Sequence, residues 1–133
     1  MIVLDEQLLG RNLDGEIARW YRGAVCYITD LRPNTVVKDD AIPSLLEREN
    51  QPTFVTINER DFWRRVAITM HFCVVCFALP DSRAPEIPAL LRQSLQHSFF
   101  NTKPKRMGKV IRVAGQEIQY YTFDHKQVRI LDL

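Results

Sequence analysis

The chain has 133 residues, 46% hydrophobic and 26% charged, with a formal net charge of +2. That is the composition of an ordinary globular domain, and a chain of this length buries roughly two-thirds of its unfolded surface, so it needs neither disulfides nor a metal to fold. Disorder, collagen-like repeats and disulfide scaffolds are excluded. The longest apolar run, Phe72 to Leu79, is far short of the roughly 20 residues a membrane helix requires. Asp5 and Glu6 interrupt the apolar start, which does not read as a secretory signal. Three cysteines, an odd number, suit free thiols in a reducing cytoplasm. One cytoplasmic domain is expected, with no membrane association.

The charge is unevenly placed. Residues 1–80 carry nine Lys/Arg against eleven Asp/Glu, a balance of −2, and residues 81–133 carry nine against five, a balance of +4. The surplus peaks at Lys103, Lys105, Arg106, Lys109 and Arg112, a stretch without an acid. Such a segment either steers a polyanion or is a solvated basic loop.

In chain order, Met1–Leu4 predicts a buried strand. Leu9, Leu13, Ile17 and Trp20 have helical spacing, predicting a helix from Leu9 to Tyr21 closed by Gly23. Ala24–Thr29 is rich in β-branched and aromatic residues and predicts the second strand. A loop over Leu31–Lys38 follows. A helix over 39–49 is then capped by Asp39 or Asp40, and Pro43 is tolerated in its first turn. Thr53–Ile57 predicts the third strand, Asn58–Asp61 a polar turn and Phe62–Thr69 a short helix. Phe72–Leu79 predicts a strand buried on both faces, as parallel sheets require. Pro85–Gln96 predicts one more helix. Lys109–Val113, Glu117–Phe123 and Gln127–Leu131 predict a β-meander. The pattern is that of a doubly wound α/β core over 1–97 with a C-terminal β appendage over 98–133, in one domain.

Ligands of open parallel sheets bind outside the carboxyl ends of the strands, and acids stand at those ends. Asp5 and Glu6 follow the first strand, Asp30 the second and Asp61 the third, and Asp39 and Asp40 open a helix. Carboxylates gathered at one rim repel unless a cation joins them, which implies Mg²⁺ or Mn²⁺. Such an ion activates water and stabilises the charge of a phosphodiester transition state. Taken singly, each acid reads better as a polar turn or a helix cap; it is the several acids at successive rims that point to a site.

Ile2-Val3-Leu4-Asp5-Glu6 resembles the first motif of compact PIN-like nucleases, in the toxin-like branch whose first strand ends in Asp-Glu. Asp39-Asp40-Ala41-Ile42 resembles the second motif, and the run from Phe54 through Thr56 and Asn58 to Asp61-Phe62 is similar to the third. Order and spacing agree across residues 1–79. The resemblance implies a three-layer α/β/α PIN-like fold with a mostly parallel central sheet. It also implies a metal-dependent endoribonuclease, often the toxin of a toxin–antitoxin pair. Asp5, Asp39 and Asp61 would be the metal carboxylates. Glu6 and Asp40 would support or replace them, and Thr56 would position the turn or bind through its hydroxyl. Two departures stand out. Asn58 occupies the place of a usual acid, and the turn before Asp61 is one residue longer. An amide oxygen can ligate Mg²⁺ but adds no charge.

Lys38, Arg60, Arg64 and Arg65 are candidate phosphate contacts beside the rim. Phe62 and Trp63 read better as packing than as base-stacking groups, and Tyr120, Tyr121 and Phe123 are a weak RNA platform. Cys73 and Cys76 are nominally C-x-x-C, but residues three apart on a strand face opposite ways and cannot share a metal. A phospho-receiver domain would need a Lys after the last core strand, and an Asp-nucleophile phosphatase would need D-x-D after the first; neither is present. The enzyme reading therefore competes with one alternative, a catalytically silent PIN-like module that binds RNA or a protein partner. An antitoxin and a second copy pairing through exposed β-edges are the expected protein partners.

Overall fold

The computed structural model describes all 133 residues. Seven strands form one sheet: β1 (Ile2–Leu4), β2 (Val25–Tyr27), β3 (Thr53–Thr56), β4 (Cys73–Phe77), β5 (Lys109–Ala114), β6 (Glu117–Thr122) and β7 (His125–Asp132), in the spatial order β2-β1-β3-β4-β5-β6-β7. The five strands β1 to β5 run parallel, and β6 and β7 return antiparallel. The C-terminal segment therefore extends the sheet. Its first strand is the fifth parallel strand, paired Val74↔Val110 through Phe77↔Val113.

Six helices accompany the sheet: α1 (Leu13–Ala18), α2 (Ile28–Leu31), α3 (Ile42–Glu47), α4 (Glu59–Phe62), α5 (Ile87–Leu95) and α6 (Lys103–Arg106). They cover both faces because neighbouring strand residues point to opposite sides. Ile2, Leu4, Val75 and Phe77 pack under α1 and α5 with Leu13, Ile17, Ile87 and Leu91. Val3, Phe54, Val74 and Cys76 pack under α2, α3 and α4 with Ile28, Ile42, Leu46 and Phe62. Each fully buried Leu, Ile or Phe among them stabilises the fold by about 1.5–3 kcal/mol relative to exposure. No helix is long and apolar enough to cross a membrane.

Several boundaries differ from those expected. The first helix starts at Leu13 because Gly10 (φ 79°) and Asn12 (φ 55°) take left-handed conformations, leaving Leu9 outside and 47% exposed. It ends at Ala18, and Gly23 is not left-handed. The second strand stops at Tyr27, whose N–H donates to the Asp30 carboxylate at 2.8 Å and turns the chain into α2. The turn expected at 58–61 is already helical, and no regular helix follows over 63–69. The short α6, capped by Thr102 with Pro104 in its first turn, was not expected. Cys73 and Cys76 are buried in opposite layers, and burial pushes the Cys73 thiol up to about 12.

Candidate functional site

In this strand order the chain leaves β1 towards β2 on one side and later reaches β3 on the other, so the crevice of the sheet opens at the carboxyl ends of β1 and β3. Asp5 and Thr56 stand there. The Asp5 N–H donates to the Val55 carbonyl at 2.9 Å, which holds Asp5 where β1 leaves the sheet. Its side chain is buried, 4% exposed. The fully buried Thr56 Oγ1 donates to Asp5 Oδ2 at 2.6 Å and accepts the Asn58 N–H at 2.9 Å.

Asn58 carries the chain of bonds outward. Its Oδ1 accepts the Asp61 N–H at 3.3 Å, capping α4, and its Nδ2 donates to Asp61 Oδ2 at 2.8 Å. The cap explains why the helix starts at Glu59: Asn at the N-cap satisfies an amide of the first turn. The Asn58-x-x-Asp61 spacing is a variant of the capping signature, and weighing it would have placed this helix correctly.

Electrostatics ties Asp39 to this chain. Asp39 lies on the 3-10 turn Asp39–Ala41 that precedes α3. Its carboxyl is held above the usual range, first by partial desolvation, then by the negative charge of Asp5 and by a hydrogen bond with Asp61. Asp61 moves the other way, held low first by its bond from Asn58 and also by the Asp39 bond and the charges of Arg60 and Arg65. Asp39 and Asp61 thus act on each other, Asp39 raised and Asp61 lowered. Burial raises Asp5 as well, against the lowering effect of the Thr56 bond.

The structure therefore brings Asp5, Asp39 and Asp61 into one electrostatic group, with the exposed Glu6 acting on both Asp5 and Asp39. Asp39, Asp40, Asp61, Phe62, Pro43 and Arg65 line a cavity of about 390 Å³ beside it. None of Asp5, Glu6, Asp39, Asp40 or Asp61 makes an ion pair within 4.0 Å. No three acids, histidines or cysteines are gathered closely enough to hold an ion by themselves. A buried carboxylate with two exposed ones near it, none of them in a close ion pair, suits a hard cation. Mg²⁺ commonly takes one or two carboxylates and keeps its waters or takes substrate phosphate oxygens, so the donors fit in kind.

Arg60 and Arg65 stay at the rim and Lys38 is exposed just before the Asp39 turn. Arg64 does not belong there: its Nη1 donates to the Lys126 carbonyl at 3.0 Å and its guanidinium lies 4.6 Å from the Tyr121 ring centre. Phe62 is buried against Phe54, with ring centres 5.2 Å apart. Tyr120 and Tyr121 are buried in opposite layers, so they offer no aromatic platform. The basic peak is also dispersed. Lys103, Lys105 and Arg106 precede β5 and so lie at the amino-end rim, across the sheet from the acids. Arg106 is 5% exposed, donating to Thr53 Oγ1 and the Phe100 carbonyl. Arg112 pairs with Glu59 at 3.1 Å.

Against protein-family models, curated proteins and solved structures, the chain finds no match. The site is thus read from its own geometry. Thr56→Val tests that geometry directly. It keeps the shape but leaves the Asn58 amide and one Asp5 oxygen without the hydroxyl, so it is expected to cost about 1–3 kcal/mol in urea unfolding.

Proposed function

We propose that this chain is a PIN-like endoribonuclease dependent on Mg²⁺ or Mn²⁺. The observation that carries this reading is the bonded chain Asp5–Thr56–Asn58–Asp61 at the β1/β3 crevice, with Asp39 acting on it and none of these acids in an ion pair within 4.0 Å. One or two of Asp5, Asp39 and Asp61 would hold the ion, with water or substrate phosphate oxygens completing its shell and Glu6 and Asp40 beside them. The ion supplies Lewis acidity and charge neutralisation for hydrolysis of a phosphodiester. Arg60 and Arg65 place cationic donors next to the acids, and with Lys38 they bind RNA phosphates. A role as a toxin restrained by an antitoxin accords with this activity.

The second reading, a silent module that binds RNA or a protein, draws on Asn58. Its side-chain oxygen and its amide nitrogen are both engaged by Asp61, and it brings no charge where the PIN-like pattern has an acid. One assay separates the two. Single-stranded RNA of mixed sequence is incubated with the protein and Mn²⁺, or with a chelator, and Asp39→Asn is the control. Cleavage that needs Mn²⁺ and Asp39 is the expected result. Saturable RNA binding without cleavage at millimolar Mn²⁺ selects the second reading, and neither binding nor cleavage overturns the RNA reading altogether.

A further inference from the structure

The helix that carries Asp61 is a single turn, and one turn has no stability of its own, because forming it fixes several residues for one hydrogen bond. Something else must hold it. Phe62 anchors it from below, in the core. Three further attachments come from the C-terminal strands. Arg112 on β5 donates through Nε to Glu59 Oε1 at 3.1 Å, while its Nη1 donates to Gln119 Oε1 at 3.2 Å. Gln119 in turn donates to Glu117 at 3.0 Å, so the guanidinium is steadied from β6. Tyr121 on β6 donates its hydroxyl to the Trp63 carbonyl at 2.6 Å, with ring centres 5.2 Å apart. Arg64 donates to the Lys126 carbonyl on β7 and lies over the Tyr121 ring.

We propose that the C-terminal meander is the positioning element of the candidate site, with Arg112 and Tyr121 as the positioning residues that clamp α4 and so set where Asn58 and Asp61 stand. The Arg112 bond acts at Glu59, the residue next to Asn58, and the Tyr121 bond acts at Trp63, the residue after the helix. Together they grip both ends of the turn. Burial pushes the Tyr121 hydroxyl up to about 12, so it keeps its proton and remains a donor across the neutral range. Neither residue bonds to Asp5, Asp39 or Asp61, and neither is a catalytic residue. The role for Asp61 rests on the metal-site reading above; the clamp itself rests on the contacts alone.

The test uses the full chain and the variants Arg112→Met, Tyr121→Phe and Arg112→Lys. Glu59 is partly exposed, so losing its partner leaves it solvated and the fold is expected to survive. Amide hydrogen exchange reads the clamp. Asp61, Phe62 and Trp63 bond to Asn58 and Glu59, and their exchange in Arg112→Met and in Tyr121→Phe is expected to quicken about 10-fold while β1 and β3 are unmoved. Mn²⁺ titration by calorimetry reads the site. Affinity is expected to fall about 10-fold in both variants, as it does when partners that orient metal ligands are lost, and to recover in Arg112→Lys, which can still pair with Glu59. Unchanged exchange at these three amides overturns the clamp. Quickened exchange with unchanged Mn²⁺ affinity overturns the positioning role. If the wild-type chain takes up no Mn²⁺, the metal reading falls, and the exchange rates alone decide the clamp.

Discussion

Asp5→Asn is expected to abolish Mn²⁺-dependent cleavage while leaving the fold as stable as before or more so. The loss follows from the place of Asp5 at the β1/β3 crevice. On the proposed metal reading, losing the Asp5 carboxylate should reduce activity at least about 100-fold, the upper end of what partners of metal ligands cost. The gain in stability follows from burial. Asp5 is 4% exposed, makes no ion pair and has a carboxyl raised above the ordinary carboxylate range, chiefly by desolvation. An amide of the same shape still accepts the Thr56 hydroxyl and carries no charge to desolvate. The sign against pH is fixed by linkage. A carboxyl whose folded pKa is raised imposes no cost below its unfolded value, because it is protonated in both states, and the cost grows as pH rises through the folded pKa. Thermal unfolding in chelator should therefore show the variant gaining on the wild type as pH rises from about 4. Mn²⁺ should raise the melting temperature of the wild type and leave that of Asp5→Asn unmoved. A variant less stable than wild type at neutral pH, or equally active, overturns this account.

Arg106→Glu is expected to unfold or severely destabilise the chain, by about 3–5 kcal/mol. Sequence order alone puts Arg106 in a basic segment suited to steering RNA, where reversing charge would weaken binding. In the fold it is buried, with Nε on Thr53 Oγ1 at 3.2 Å and Nη1 on the Phe100 carbonyl at 2.9 Å. A carboxylate there would face the Phe100 carbonyl oxygen in place of a donor. Lys103→Glu with Lys105→Glu, at the same rim but less buried, should leave the urea midpoint within about 0.5 kcal/mol of wild type. Parallel urea unfolding of the two variants checks both outcomes. A stable Arg106→Glu, or an equal loss from the two lysine changes, would contradict the assignment.

Neighbouring residues announce some features plainly. Phe72 to Leu79 reads as a strand buried on both faces because its apolar run is unbroken, and the structure buries Cys73–Phe77 completely. Cys73 and Cys76 could be refused as a metal pair from strand alternation alone. Asp5 and Thr56 could each be placed at a strand end. Their 2.6 Å bond could not be foreseen, because it spans 51 residues and depends on β3 lying beside β1. By its place in the motif Asn58 reads as a substitute ligand, and only the fold shows it as the cap that starts α4. Helical spacing overextends the first helix because it says nothing of left-handed backbone at Gly10 and Asn12.

What the amino-acid order determines by itself is therefore periodic and local: an alternating α/β chain, one sheet of mainly parallel strands, carboxylates at strand ends, and thiols with no shared face. These follow from the side-chain period of strands and helices, which a short window contains. What only the tertiary structure decided is which of the charges meet. Arg112 joins Glu59, Arg64 turns to Tyr121 and Arg106 enters the interior, each across more than 50 residues of chain. A long cationic side chain can reach in several directions, and the strand order chooses among them. That order leaves Arg60, Arg65 and the acids of the β1/β3 crevice together, and turns Arg64, Arg106 and Arg112 to contacts that hold the fold.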